Sequence, residues 1–297
     1  MVDITQYLEE IFGDFCCYAN GENYLCELKK LNFQAGSIPD YSNKKIQQLY
    51  LLRYAFAYAF EYKSMYEDMF PKIKNLDNLK VTSIGCGAMI DYWSLVKLLL
   101  EKKMEDKQIA YIGVDEINWN YKIRKRSSDF GYLKNKNIVD YLNEIELFDS
   151  DIYFFPKSIS EFDDNEMKLI CKNFKEKEII KNTILLGVSL RCDSGSRDRD
   201  MEKVKLLIEA ISKNGFITKD SCEEYIYYEG NAGIAAYDRQ FVYPPEAINY
   251  LKELNIRCKE FIENGTNCEN DCLESLNRWP ILKTNTICYQ IIELERV

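Results

Sequence analysis

The chain has 297 residues, 46% of them hydrophobic, and a formal net charge of -9. That length suits one large domain or a core with an added cap, and the acidic balance excludes a general duplex-DNA binder. Histidine is absent, which removes Ser-His-Asp triads, Cys-His dyads and histidine-containing metal sites, and leaves proton transfer to Asp, Glu, Lys, Tyr or Cys.

No apolar run approaches the ~20 residues that cross a bilayer. The segment Met1 to Gly13 carries acids where a secretory leader would carry bases. The reading is a cytoplasmic chain without membrane attachment, whose eleven scattered cysteines are packed thiols.

Residues 1–75 read as an N-terminal helical cap. Residues 44–69 hold neither Gly nor Pro, with Pro71 just beyond, and tyrosines at 50, 54, 58, 62 and 66 follow one slowly drifting helical face. That face is either packed on the next domain or a wall of phenols along a cleft. In the second reading Tyr50, Arg53, Tyr54 and Tyr58 bind substrate.

From residue 80 short β-like runs alternate with helical ones. Lys80 to Ile84, Ala110 to Val114, Asp151 to Phe155 and Thr183 to Leu190 read as strands. Asp91 to Lys103 and Met201 to Asn214 read as helices, the latter stopped by Gly215. Residues 117–148 look irregular. This alternation predicts an α/β fold with a mostly parallel sheet covered on both faces. Glu224 to Tyr228 and Thr286 to Glu295 would add an antiparallel pair, separated by a mostly helical insert at about 229–285. The second domain is thus 76–297.

The strongest local feature is VTSIGCGAMIDYWSL, residues 81–95. A strand runs into Gly85-Cys86-Gly87 and then opens a helix, whose free amides and positive pole suit a ligand. Asp115, or Glu116 beside it, stands 30 residues after Gly85 at the tip of the next strand, where an acid can bind ribose hydroxyls. After the third clear strand, Lys157 would stabilise a developing anion and Glu161 would take a proton, with Ser158 and Ser160 beside them; turn and capping duty is the competing role. The run from Arg191 to Asp200 reads as a polar connector ending in a cap at Asp200, or as part of a substrate mouth. Lys122, Arg124, Lys125 and Arg126 form a basic run, read as a solvated helix face, with RNA contact as the alternative. Among Cys258, Cys268, Cys272 and Cys288 only Cys268 and Cys272 have the close spacing of a zinc pair, and Cys16, Cys17 and Cys26 are looser still, so no metal is expected.

Residues 83–91 (SIGCGAMID), the stretch YIGVDEI, and DSDIYFFPKSISEF at 149–162 together resemble the glycine motif, the acidic ribose motif and the fourth strand with its catalytic loop in class I S-adenosylmethionine-dependent methyltransferases. The resemblance covers roughly residues 80–230 and the final strand. It implies a Rossmann-like seven-stranded sheet, closed by TICYQIIELE as an antiparallel strand, and S-adenosylmethionine as cofactor. It implies cofactor contacts from Gly85, Cys86, Gly87, Asp91, Asp115, Glu116, Asp151 and Phe155, and catalytic roles for Lys157, Ser158 and Glu161. The chain departs from the family at Ser83 and Met89, and Asp129 and Asp140 are alternative adenine contacts. Asp91 would turn its carboxylate toward the cofactor's amino group. The loop Phe154-Phe155-Pro156-Lys157-Ser158 lacks the pattern of enzymes that methylate exocyclic base amines. The acceptor is a small molecule, a protein or RNA. The alternatives are a non-catalytic sensor or assembly subunit that binds this cofactor or another nucleoside, and a nicotinamide oxidoreductase.

Overall fold

The computed structural model describes residues 3–18, 41–229, 242–251, 253, 280–282 and 286–297. The chain divides into two compact units. The first comprises Met1–Tyr58, Trp119–Arg124 and Ala235–Thr284, and the second Ala59–Asn118, Lys125–Ile234 and Asn285–Val297. Among the described residues no helix is long and apolar enough to cross a membrane.

In the first unit, helix α1 (Ile4–Tyr18) and the first half of helix α2 (Lys44–Ile73) are joined by polar contacts to residues 119–124. Tyr121 anchors them: its hydroxyl donates to Asp14 at 2.7 Å and accepts from Gln48 at 2.6 Å, and its carbonyl accepts the Tyr7 hydroxyl. Gln47 accepts the Asn120 amide at 2.8 Å. Residues 245–251 are helical, and the Tyr243 hydroxyl donates to the Leu52 carbonyl.

The second unit is built on one sheet. Strands β1 (Asn78–Ile84), β2 (Gln108–Asp115), β3 (Phe130–Asn135), β5 (Ile152–Phe155), β7 (Thr183–Ser189), β8 (Phe216–Ile217), β9 (Ile226–Glu229) and β10 (Thr286–Arg296) form it. Their order is β3-β2-β1-β5-β7-β10-β8, with β9 pairing the start of β10. The strands from β3 to β7 are parallel, and β10 runs antiparallel to β7, β8 and β9. A two-residue pair, β4 (Leu147–Phe148) and β6 (Glu178–Ile179), lies outside this sheet. The central strands β5 and β7 are almost wholly buried, as their continuous apolar runs require, whereas β3 at the edge is exposed.

Helices cover both faces. Successive β5 side chains point oppositely: Tyr153 and Phe155 enter a core with helices α4 (Ile138–Glu144), α5 (Asp164–Glu176) and α6 (Ser194–Ser212). Phe154 stacks at 4.7 Å on Tyr66 of α2, and Ser94 of helix α3 (Ile90–Glu101) donates to the Ala59 carbonyl. The tyrosine face therefore packs on the sheet over its second half.

Three expected boundaries move. Helix α2 continues past Pro71 to the fully buried Ile73, because its last turn packs on the sheet. Residues 117–148 hold β3 and α4 rather than irregular chain alone. Helix α6 begins at Ser194, since the Asp193 carboxylate accepts the Ser196 amide and caps it; Asp200 lies inside the helix. Most of the insert at 229–285, including Cys258, Cys268 and Cys272, lies outside the described residues, as do Cys26 and the Cys17 side chain.

Beside β10, residues between β8 and β9 are tied to its edge. Gln290 donates to the carbonyls of Cys222 and Glu224, and Asp220 accepts the Glu293 amide at 2.7 Å. At the opposite edge, Gly131 of β3 has φ +118°, and an added Cβ would lie 1.8 Å from the Tyr111 carbonyl oxygen. Gly131→Ala should lower stability by about 3 kcal/mol, read as a lower urea midpoint with an unchanged slope; a midpoint equal to the native one would contradict this backbone geometry.

Candidate functional site

The carboxyl ends of the parallel strands carry the glycine turn, the β2 acids and the loop after β5. Ile84 pairs with Val114, so the turn after β1 and the tip of β2 are neighbours. Gly85, Gly87 and Met89 have φ +69°, +53° and +67°. The left-handed conformation reverses the chain within a few residues, at little steric cost for the two glycines. An added Cβ on Gly85 would lie 2.3 Å from the Ser158 Cβ, so the loop after β5 packs directly against the turn.

The turn does not offer its amides as expected. The Gly85 and Cys86 amides both donate to the Val114 carbonyl, and the Met89 amide donates to Cys86. The Gly87 amide donates to the Asp115 carboxylate at 2.7 Å, and the second Asp115 oxygen accepts the Ile117 amide at 2.8 Å. Asp115 thus joins the turn to the tip of β2. The Gly85 carbonyl receives no backbone amide among the described residues, so this half-buried turn presents that one acceptor. Cys86 points its thiol inward against Gly113, and burial raises its pKa well above the ordinary value.

Asp91 is also corrected. It is fully buried in the first turn of α3 and accepts the Tyr111 hydroxyl at 2.9 and 3.0 Å. Burial raises its carboxyl to about 6, against the Tyr111 hydrogen bond and the amides of Asp91 and Tyr92, which lower it. The carboxylate therefore sits at the helix pole that the sequence assigned to a ligand. Asp151 lies at the other end of the strands: it accepts the Lys80 amide at 2.8 Å and pairs with Lys181 at 2.6 Å. Phe155 is wholly buried in the core beneath α5 and α6. These three side chains are not at the cradle.

The loop after β5 brings together the three expected catalytic residues in different states. Lys157, at φ +60°, pairs with the buried Glu61 of α2 at 2.8 Å and donates to the Leu190 carbonyl. Burial would depress this ammonium, but the charge of Glu61 outweighs it and the pKa is raised. The Ser189 hydroxyl donates to the same Glu61 oxygen. Ser158 is buried, with its hydroxyl on the Ile84 carbonyl, and Ser160 donates to the Lys157 carbonyl. Glu161 reaches solvent, yet surrounding protein, followed by the charges of Asp115 and Glu116, raises its carboxyl to about 7.

Asn135 and Asn137, which the sequence did not single out, also stand at this edge. Asn135 donates to the carbonyls of Asp115 and Glu116, and Asn137 caps α4. Glu61 was likewise unmarked, an acid in a tyrosine-rich helix. Asp129 belongs to the opposite edge, where it accepts from Tyr92, Arg126 and the Ile109 amide, and Asp140 is exposed on α4. The basic run is irregular chain rather than a helix face. Lys125 and Arg126 are spent on the Gly131 carbonyl and on Asp129 with the carbonyls of Glu105 and Lys107. Tyr50, Arg53, Tyr54 and Tyr58 belong to the first unit; there the Tyr54 and Tyr58 rings stack at 5.5 Å and Arg53 lies over Tyr54. Among the described residues no group of three or more Cys, Asp or Glu could hold a metal ion.

The strand order, the antiparallel β10 and the acid at the tip of β2 beside a glycine turn decide the architecture. The chain has the fold of the class I methyltransferases. No protein-family model and no curated protein matches it. Among solved structures it is similar to the plantazolicin methyltransferase BpumL, at 11% identity over 98% of this chain and 100% of that one, with a TM-score of 0.42. It is also similar to a SAM-dependent methyltransferase from Archaeoglobus fulgidus, at 15% identity over 79% of this chain and 92% of that one, with a TM-score of 0.39.

The buried acid of this methyltransferase fold sets a pH dependence. A carboxyl raised from 3.8 to about 6 stabilises the folded chain fully below its ordinary value and loses that contribution as pH rises through 6. The loss is about 3 kcal/mol at ~1.4 kcal/mol per pKa unit. Asp91→Asn should remove it, so the stability difference between variant and native chain should grow in the variant's favour from pH 4 to pH 7 in urea unfolding. A constant difference would refute the assignment.

Proposed function

We propose that the chain binds S-adenosylmethionine at the carboxyl edge of its sheet and transfers the methyl group to an acceptor. The observation that carries this reading is the bond from the Gly87 amide to Asp115, which sets the turn that holds the Gly85 carbonyl beside an acid at the tip of β2. Charge supports it. Asp115, Glu116 and Glu161 make this edge acidic. A ligand with a sulfonium and an ammonium suits such a surface, whereas the pyrophosphate of a nicotinamide cofactor would be repelled.

The residues present fit the cofactor. Asp115 and Glu116 would accept ribose hydroxyls, and the Gly85 carbonyl would accept from the ammonium. The cofactor supplies an already activated methyl group. Of the loop residues, Lys157 and Ser158 are held by Glu61 and Ile84, so they position the loop. Glu161, whose side chain makes no hydrogen bond among the described residues, is the group that would take the acceptor's proton. Its carboxyl near 7 is matched to that task. The same commitment of Lys157 and Ser158 favours, as a second reading, a sensor that binds the cofactor without turnover.

Calorimetry tests the reading without knowledge of the acceptor. S-adenosylmethionine and S-adenosylhomocysteine should both bind, and Asp115→Ala should weaken both by about 10- to 100-fold. Only the first carries a sulfonium, so its affinity relative to the second should rise as Glu161 ionises through pH 7 and stay level in Glu161→Gln. Absence of heat with either compound would end the proposal. Binding without a methylated product from small molecules, proteins or RNA would select the sensor.

A further inference from the structure

Arg197 stands in the first turn of α6, with its side chain 14% exposed. Its guanidinium lies 4.5 Å from the ring centre of Tyr225 and 5.6 Å from that of Tyr227. The Nε atom is buried without a hydrogen-bond partner, and among the described residues the side chain makes no hydrogen bond. The one carboxylate within reach among those residues, Asp198, is 3.9 Å away and 71% exposed. A guanidinium so largely removed from water ordinarily has a carboxylate or a set of carbonyls on its donors. Arg126 and Arg191 in the same unit have just that, on Asp129 and Asp200.

The position fits the far end of the site. Tyr227 pairs with Cys288 of β10, and Cys288 accepts the Leu190 amide, so this group stands at the carboxyl end of β7. The Cys288 thiol feels the charges of both Lys157 and Arg197. Three strand steps of ~4.8 Å separate β1 from β10. Asp115, on β2, lies on the other side of β1. Lys157 is neutralised by Glu61 and Arg191 by Asp200, whereas Arg197 has only the exposed Asp198 at 3.9 Å.

We propose that Arg197 anchors a carboxylate on the methyl acceptor; this rests on the methyl-transfer reading above. A single guanidinium balances a monoanion and pairs with a planar carboxylate through two parallel hydrogen bonds, whereas a phosphate dianion would call for a second uncommitted cation. The Tyr225 and Tyr227 rings, at 86° to each other, flank the guanidinium without accepting a hydrogen bond from it.

The test is a titration followed by the arginine Nε–H signals in the proton–nitrogen spectrum of the full chain, with and without S-adenosylhomocysteine. The Arg197 signal is assigned by its loss in Arg197→Gln. Benzoate should shift that signal to saturation, while benzamide and inorganic phosphate should leave it in place. No shift with benzoate, or an equal one with benzamide or phosphate, overturns the proposal. So does a weaker affinity of Arg197→Gln for S-adenosylhomocysteine, which would assign the guanidinium to the cofactor's own carboxylate. If the native chain fails to bind S-adenosylhomocysteine, the methyl-transfer reading falls, and with it the assignment to an acceptor; the cofactor-free benzoate arm then reports separately whether Arg197 holds a carboxylate at all.

Discussion

The Val114 carbonyl accepts two successive amides, Gly85 and Cys86, and the next residue along β2 turns its carboxylate onto Gly87. This arrangement exists only in the register that pairs Ile84 with Val114. Both of those side chains are buried in one core, so slipping β1 by a residue would reverse every face and cost the packing as well as the polar contacts. The geometry of the cradle is thus inherited from hydrophobic burial beneath it. Asp115 reads out that register.

Beyond the cradle, the second unit treats its buried charges in two ways. Glu61 with Lys157, Asp200 with Arg191, and Asp129 with Arg126 are paired and multiply hydrogen-bonded. Removing one member of such a pair strands the other in a poorly solvated place. These pairs fix where the chain goes after β5, after β7 and before β3. Asp91 and Arg197 depart from this, one held by a phenol and the other by aromatic faces. The fold tolerates each at a cost, and only Arg197 has donors left over.

Much of the framework was legible. The runs ILLGVSL and DIYFF announce strands buried on both sides, and Gly85-Cys86-Gly87 with Asp115 announces the turn and its acid, because these depend on apolar continuity and local backbone freedom. What could not be read depends on partners distant in sequence. Asp91 looked available because it opens a helix, but Tyr111 and the packing around it claim it. Asp151 looked close to the catalytic loop because it begins the same strand, yet a strand separates its two ends, and Asp151 faces Lys181 at the opposite edge. Ser158 and Lys157 looked reactive by type, while Ile84 and Glu61 decide their roles. Arg197 lay in a run read as a connector until the Asp193 cap made it helix.

The strip between β8 and β9 bears on how the molecule behaves in company. Among the described residues no strand lies opposite β7 over the middle of β10, and a naked ladder there would invite pairing with a neighbouring molecule. Gln290 and Asp220 instead engage the groups on both sides of that gap. The irregular stretch acts as a built-in stopper for a sticky edge, and it is the kind of seam whose loosening would first show itself as aggregation at high concentration.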